Sequence, residues 1–279
     1  MQVRSMGTPL LRMGLVLLAA VAFAGAATAA EVVVAGAADN HAAAGAEHGA
    51  AGHESGVDWQ AWKAGNDVTV PASLQRGAAN FVNYCLGCHS LKYMRWSRVA
   101  ADLNITDKVL REQLLPEGAK PTDYIVSSFP KADAEAWFGR QPPDLSLVAR
   151  ARGADWLYKF LKGFYLDPSR PSGTNNLALD GASMPAVLSE LEGTKIAVFA
   201  EHGAGHAGKS VERFETVSAG RLLPAEYDAF VRDTVNFLDY VGDPSQADRR
   251  AIGLWVVLFL MVFTAFAWLL KKEYWKDVN

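Results

Sequence analysis

Cysteine is almost missing from this chain, with two thiols in 279 residues. So few thiols exclude a disulfide framework and any four-thiolate zinc or iron–sulfur centre. Methionine is scarce as well: six in all, three of them at positions 1, 6 and 13. Basic residues do not outnumber acidic ones, at 27 Lys and Arg against 30 Asp and Glu, so no excess of positive charge marks a nucleic-acid partner. No internal repeat and no succession of alternating strands occurs, which removes solenoids, propellers and β-sandwiches. Long apolar runs number two.

The first run lies behind Arg4 and Arg12, from Met13 to about Phe23, and leads into Ala26-Ala27-Thr28-Ala29-Ala30. This is the layout of a cleaved secretory signal over residues 1–30, with the cut after Ala29 or Ala30. Removing it leaves 25 basic against 30 acidic residues, a mildly acidic mature chain. Residues 31–57 are rich in Ala and Gly, carry His41, His48 and His53, and hold too little apolar mass to repay ordering, so a flexible extension is expected there. No acidic or thiol ligand set accompanies those histidines, so they are not read as a metal site.

The second run, Ile252 to Leu270, has no charge in nineteen residues, enough to cross about 30 Å of hydrocarbon as a helix. Trp255, Trp268, Tyr274 and Trp275 sit near its ends as interfacial aromatics do, and Lys271, Lys272 and Lys276 follow. The expected organisation is a periplasmic domain over 58–242, a linker over 243–250, a single anchor over 251–270 and a cytoplasmic tail over 271–279. A bacterial inner membrane is the natural setting.

Within the domain, Leu74, Ala78, Phe81, Val82 and Cys85 recur at helical spacing after Ser73, a candidate N-cap. Pro224 opens a second helix, with Tyr227, Phe230, Val231, Val235, Leu238 and Val241 on one face and a stop at Gly242-Asp243-Pro244. Shorter helical patterns lie around Asp107 to Leu115 and Asp155 to Phe164, among loops rich in Pro, Gly and Asn. The pattern predicts an all-α domain with long loops and one C-terminal transmembrane helix.

Both cysteines stand in Cys85-Leu86-Gly87-Cys88-His89. At this spacing two thiols on one helical turn reach the vinyl groups of a haem, and the adjacent imidazole reaches its iron. A thioredoxin-type pair needs a βαβ setting absent here, and structural zinc needs more ligands at matching spacing. A disulfide across the pair leaves the histidine unexplained. For the second axial ligand, Met94 is too close to His89 in sequence to reach the opposite haem face, and Met261 lies in the apolar span. Met184, in Asp180-Gly181-Ala182-Ser183-Met184-Pro185, remains, with His202 and His206 as competitors in a Gly-rich loop. Gln141-Pro142-Pro143-Asp144-Leu145-Ser146 offers carbonyls to the free N–H of His89, and Arg140, Arg150 and Arg152 are candidates to pair with propionates.

The stretches RGAANFVNYCLGCHSLKYMR and PPDLSLVARAR, the Met184 loop, and YDAFVRDTVNFLDYVGDPSQADRRAIG leading into the span resemble the cytochrome c1 family. That family is the haem subunit of the quinol:cytochrome c oxidoreductase, complex III. The resemblance covers nearly the whole chain after the extension. It implies one covalent haem c held by Cys85, Cys88, His89 and Met184, with Arg152 near a propionate, Pro143 lining the pocket, and Tyr93 and Arg95 in the same environment. It implies electron receipt from a Rieske iron–sulfur protein, release to a soluble or tethered cytochrome c, and packing of the span against cytochrome b. Two departures stand out: Pro185-Ala186-Val187 replaces the longer proline run common after the ligand methionine, and the extension has no counterpart. Another anchored monohaem cytochrome, such as an oxidase subunit or tethered carrier, is the alternative. A haem sensor or peroxidase would need an open sixth position.

Overall fold

The computed structural model describes residues 56–200 and 210–276. The expected signal segment, the extension up to residue 55, and His202 and His206 lie outside the described residues.

After a single turn at Trp59–Ala61, helix α1 (Pro71–Tyr84) leads to strand β1 (Leu91–Arg95), then α2 (Trp96–Asp102) and α3 (Asp107–Val109), which widens into a π turn at Leu110–Leu114. Strand β2 (Tyr124–Ile125), α4 (Lys131–Phe138), α5 (Val148–Arg152) and α6 (Ala154–Lys162) follow. Next come β3 (Phe164–Leu166), β4 (Thr174–Asn176), α7 (Ser189–Glu192), β5 (Gly193–Phe199) and β6 (Val211–Ala219). Two long helices, α8 (Pro224–Gly242) and α9 (Gln246–Tyr274), close the chain.

The main core is built on the crossing of α1 and α8. Phe81 and Phe237 are almost wholly buried and meet with ring centroids 5.9 Å apart, and burying each ring is worth roughly 2–3 kcal/mol. Gly77 allows the crossing, because a Cβ there would stand 2.1 Å from the Asp233 carbonyl oxygen and 2.7 Å from Phe237 Cβ. The buried Asp233 carboxylate bridges the helices, accepting from Ser73 Oγ at 2.6 Å and from Arg76 Nε at 2.6 Å and Nη2 at 3.1 Å. Ser73 is therefore not the cap of α1. The helix starts two residues earlier, with Pro71 pre-set in its first turn, and the Ser73 hydroxyl is committed to a tertiary partner.

About half of the described residues are helical, but the expectation of an all-α fold needs correcting, because among them three two-stranded antiparallel sheets pair β1 with β2, β3 with β4, and β5 with β6. In the largest, Gly193 to Phe199 pairs with Val211 to Ala219. Its β-branched residues Thr194, Ile196, Val198, Val211, Thr216 and Val217 favour extended backbone. Sequence reading missed the hairpin because the Gly-rich stretch between the strands hides their pairing, and neither strand alternates cleanly in burial.

Helix α9 has 29 residues, none of them buried, and extends past the apolar stretch at both ends. Charged residues at 249, 250, 271 and 272 change the polarity of a helix without ending it. Just before α9, Asp243 accepts from Arg249 Nη1 at 2.7 Å and pairs with Arg150 Nη1 at 3.1 Å. Hydrogen bonds from Arg249, more than the opposing cost of burial, hold the Asp243 carboxyl down at about 2.

Gly77→Ala should destabilise the domain by about 2–3 kcal/mol in thermal or denaturant melting, as overpacking does. An exposed helical glycine would instead gain up to about 1 kcal/mol on the same change. An unchanged or raised stability would contradict the close crossing.

Candidate haem site

Helix α1 ends at Tyr84, and the chain then closes a tight turn. Cys85 and Leu86 N–H both donate to the Phe81 carbonyl at 2.9 Å, and His89 N–H donates to the Cys85 carbonyl at 2.8 Å. Leu86 is driven into the core, which turns Gly87 and Cys88 outward. The two thiols are not joined to each other. Burial, with a smaller contribution from Cys88, pushes the Cys85 thiol up to about 12. A thiol kept protonated in this way is neither a thiolate ligand nor a redox nucleophile. Among the described residues no group of three or more His, Cys, Asp or Glu is placed to hold a metal ion.

His89 Nδ1 lies 2.8 Å from the Pro143 carbonyl oxygen. A carbonyl can only accept, so Nδ1 carries the proton and Nε2 keeps a free lone pair. Burial lowers the affinity of the ring for a second proton, against the opposing pull of the Pro143 carbonyl and the Asp144 charge. The imidazole is thus held neutral, in the tautomer that can ligate iron through Nε2. Two separate thiols on one turn beside such an imidazole suit a covalent haem.

The loop from Pro142 to Ser146 is bolted to the cysteine motif and β1. Leu145 N–H donates to the Ser90 carbonyl at 2.9 Å. Asp144 accepts from the N–H of Lys92 at 2.8 Å and of Ser146 at 3.0 Å, while Ser146 Oγ, fully buried, accepts from Tyr93 N–H at 3.2 Å. On the other side Ser127 donates its N–H to Ser90 Oγ at 2.9 Å and its hydroxyl to the Gly87 carbonyl at 2.8 Å. Sequence reading singled out this loop for its carbonyls and missed Asp144 and Ser146 as its fasteners, and Ser127 as the tie on the cysteine-motif segment. An Asp two residues before a Ser, behind two prolines, is the turn signal that points to the first two. Nothing near Ser127 in sequence points to it.

The structure brings Cys85, Cys88, His89 and Pro143 together. Met184 is half-buried and, like Cys85 and Leu145, packs against the main core. The arginines separate: Arg150 is engaged by Asp243, Arg140 is exposed, and Arg152 sets its guanidinium 4.9 Å from the centre of the Trp156 ring. Tyr93 is exposed, and Arg95 ties β1 to β2 by donating to the Thr122 carbonyl and the Tyr124 hydroxyl. A cavity of about 210 Å³ is lined by Leu161, Phe164, Tyr165, Pro185, Ala186 and Tyr227, among others, and by no residue of the cysteine motif.

Two unpaired thiols on one turn, followed by an imidazole whose Nδ1 is taken by a carbonyl, fit the c-type cytochrome class. Residues 69–278 match the Cytochrome C1 family, and the chain belongs to that family. It is 49% identical over 213 residues to the cytochrome c1 of Allochromatium vinosum, spanning 76% of this chain and 87% of that protein. It is 30% identical to the cytochrome c1 of Rhodospirillum rubrum, over 80% of this chain and 87% of the relative. It is also 42% identical to the ammonia monooxygenase gamma subunit of Nitrosomonas europaea, over 81% and 92%. A solved chain of a hyperthermophilic respiratory complex III aligns over 74% of this chain and 77% of its own length, with a TM-score of 0.33 and 20% identity. As a family member the chain is a membrane-anchored respiratory electron-transfer subunit of the cytochrome bc1 complex and carries one covalently bound haem c.

Asp144→Ala removes the acceptor of two backbone N–H groups and should cost about 1–2 kcal/mol in denaturant melting. Asp144→Asn, which keeps one acceptor, should fall between. Full stability in the alanine variant would show that the loop is held by something else.

Proposed function

We propose that this chain takes electrons from a Rieske iron–sulfur protein and delivers them to a soluble or tethered cytochrome c. In this reading Cys85 and Cys88 form the thioethers, His89 Nε2 and the Met184 sulfur are the axial ligands, Pro143 lines the pocket and Arg152 pairs with a propionate. The carrying observation is the hydrogen bond from His89 Nδ1 to the Pro143 carbonyl, which frees Nε2 and fixes the ring plane. Bound there, the haem supplies a one-electron couple.

Met184 gains support from the placement of the other methionines, while His202 and His206 lie outside the described residues. Met94 is buried in β1 and Met261 lies in α9, so neither is available as the second axial ligand. A thioether favours reduced iron and shuts the site to external ligands, which suits transfer and not substrate binding. With Arg150 engaged by Asp243, Arg140 and Arg152 remain for a propionate, and family membership favours Arg152.

The signal-like N-terminus sends the domain to the periplasmic side of a bacterial inner membrane, leaving residues 271–279 in the cytoplasm. The domain organisation follows as a periplasmic domain over 58–242 and an anchor over 251–270. The stretch of α9 from Ile252 to Leu270 carries no charge on any face, and we take cytochrome b as the neighbour it packs against within the bilayer.

Two measurements test this reading. Met184→Leu should leave the haem covalently attached, lower the midpoint potential and let carbon monoxide bind the reduced protein. Retention of the native potential and of carbon monoxide resistance would remove Met184 from the iron. Pull-down of the tagged chain from its native membrane in mild detergent should recover a multi-span b-type cytochrome and a Rieske protein. Recovery of monooxygenase subunits would instead align the chain with its Nitrosomonas europaea relative, and terminal oxidase subunits would make it an oxidase component.

A further inference from the structure

A methionine ligand on a loop has to be presented by something. Its side chain has three rotatable bonds and a weakly directional sulfur, so the backbone beneath it must supply the order. Residues 177–188 contain no helix or strand. The β3–β4 hairpin just before them carries Asn175 and Asn176, both almost completely buried.

The side chain of Asn175 is saturated. Its Nδ2 donates to Asp167 Oδ2 at 3.0 Å and to Asp180 Oδ1 at 2.8 Å, and its Oδ1 accepts the N–H of Gly181 at 2.9 Å and of Asn176 at 2.8 Å. An amide has two donors and two acceptor sites, and all four are used. Aspartate has no donor for Asp167 and Asp180 and would add a third negative charge, and an apolar side chain would leave these groups without their buried partner. Arg170 Nη2 joins the same cluster, donating to Asp180 Oδ1 at 2.9 Å.

The position held is a turning point of the chain. Gly181 adopts φ +71°, a left-handed conformation that side chains disfavour. Ala182 is buried and donates its N–H to the Leu179 carbonyl at 3.2 Å. Asn176 steadies the approach, donating to the Phe160 carbonyl at 2.7 Å and accepting from Ala178 and Leu179 N–H at 2.9 and 3.2 Å. Beyond Met184, the N–H of Val187 donates to Pro185 O at 2.8 Å and that of Ser189 to Ala186 O at 3.1 Å. Met184 therefore lies between two fixed points.

We propose that Asn175 is a positioning residue for Met184, its side-chain amide fixing Asp180 and Gly181 and through them the loop that presents the sulfur. The proposal rests on the reading of Met184 as the axial ligand. It also explains how the loop stays ordered with Pro185-Ala186-Val187 in place of a longer proline run.

The test compares full-length, haem-loaded variants purified from membranes. Asn175→Ala should keep the haem covalently attached but weaken the sulfur-to-iron absorption band of the oxidised protein, lower the midpoint potential and let carbon monoxide bind on reduction. Asn236→Ala is the control, because Asn236 is as deeply buried and donates to the Asp67 carbonyl at 2.8 Å and Ser73 Oγ at 2.9 Å, on α8 and away from the loop. That variant should lose melting temperature while keeping spectrum, potential and carbon monoxide resistance. If Asn175→Ala behaves like Asn236→Ala, the proposal is overturned. If Asn175→Ala fails to accumulate, Asn175→Ser, too short to hold Asp167, Asp180 and Gly181 at once, takes its place, and native carbon monoxide resistance there overturns the proposal equally. Met184→Leu measured alongside separates the two ideas: native behaviour in that variant removes the ligand assignment itself, whereas an altered Met184→Leu with a native Asn175→Ala removes only the role of Asn175.

Discussion

The crossing of α1 over α8 at Gly77 is the contact on which the rest of the domain depends. One end of α1 delivers the cysteine motif, and the end of α8 delivers the chain to the membrane anchor. With a Cβ at position 77 held off the Asp233 carbonyl by ordinary contact distance, the axes would separate and both ends would move. The Asp233 carboxylate adds direction to this contact, since Ser73 and Arg76 reach it from one face of α1 and set the rotation of that helix. Rotation matters because it decides which of Cys85, Leu86 and Cys88 faces inward.

From the motif a continuous path of polar contacts leads to the anchor. His89 is tied to Pro143, the loop from Pro142 to Ser146 runs into α5, Arg150 of α5 meets Asp243, and Asp243 binds Arg249 in the first turns of α9. Arg150 and Arg249 are more than half exposed, so each pair alone is worth little. What they share is one carboxylate that is itself nearly buried. Its depressed pKa means that this contribution is complete above the ordinary carboxyl range near pH 4 and is lost only as pH falls through about 2. The junction between haem domain and anchor therefore stays charged across any physiological pH.

Much of this was legible in the residues. The two long helices declared themselves through apolar spacing and through Pro224 and Gly242, because helical periodicity is a local property. The cysteine motif and the loop around Pro143 were legible because their chemistry fixes residue type and spacing. The hairpins were not, since a strand of three to nine residues is defined by a partner that sequence does not show. The role of Ser73 was misread for a related reason: its signature as a cap is local, while Asp233, the partner that claims it, lies 160 residues away. Arg150 and Arg152 look alike in sequence and differ only in what surrounds them.

Cys85, Cys88, His89, Pro143 and Met184 stand outside helices and strands, at a helix exit and on two loops. Regular backbone hydrogen bonding cannot hold such positions, so side chains take over the task. Asp144, Ser146 and Ser127 fasten the proximal side, and Asn175 and Asn176 fasten the run leading to Met184, nearly all by bonds to backbone groups. Short polar side chains suit this use because they lose little rotamer freedom on burial and can bond backbone groups of the segments packed against them. An electron-transfer site gains from this in a specific way. The less the ligand positions relax when the charge on the iron changes, the less free energy each transfer spends on rearrangement, and side chains saturated with hydrogen bonds resist that relaxation more than apolar packing of equal area.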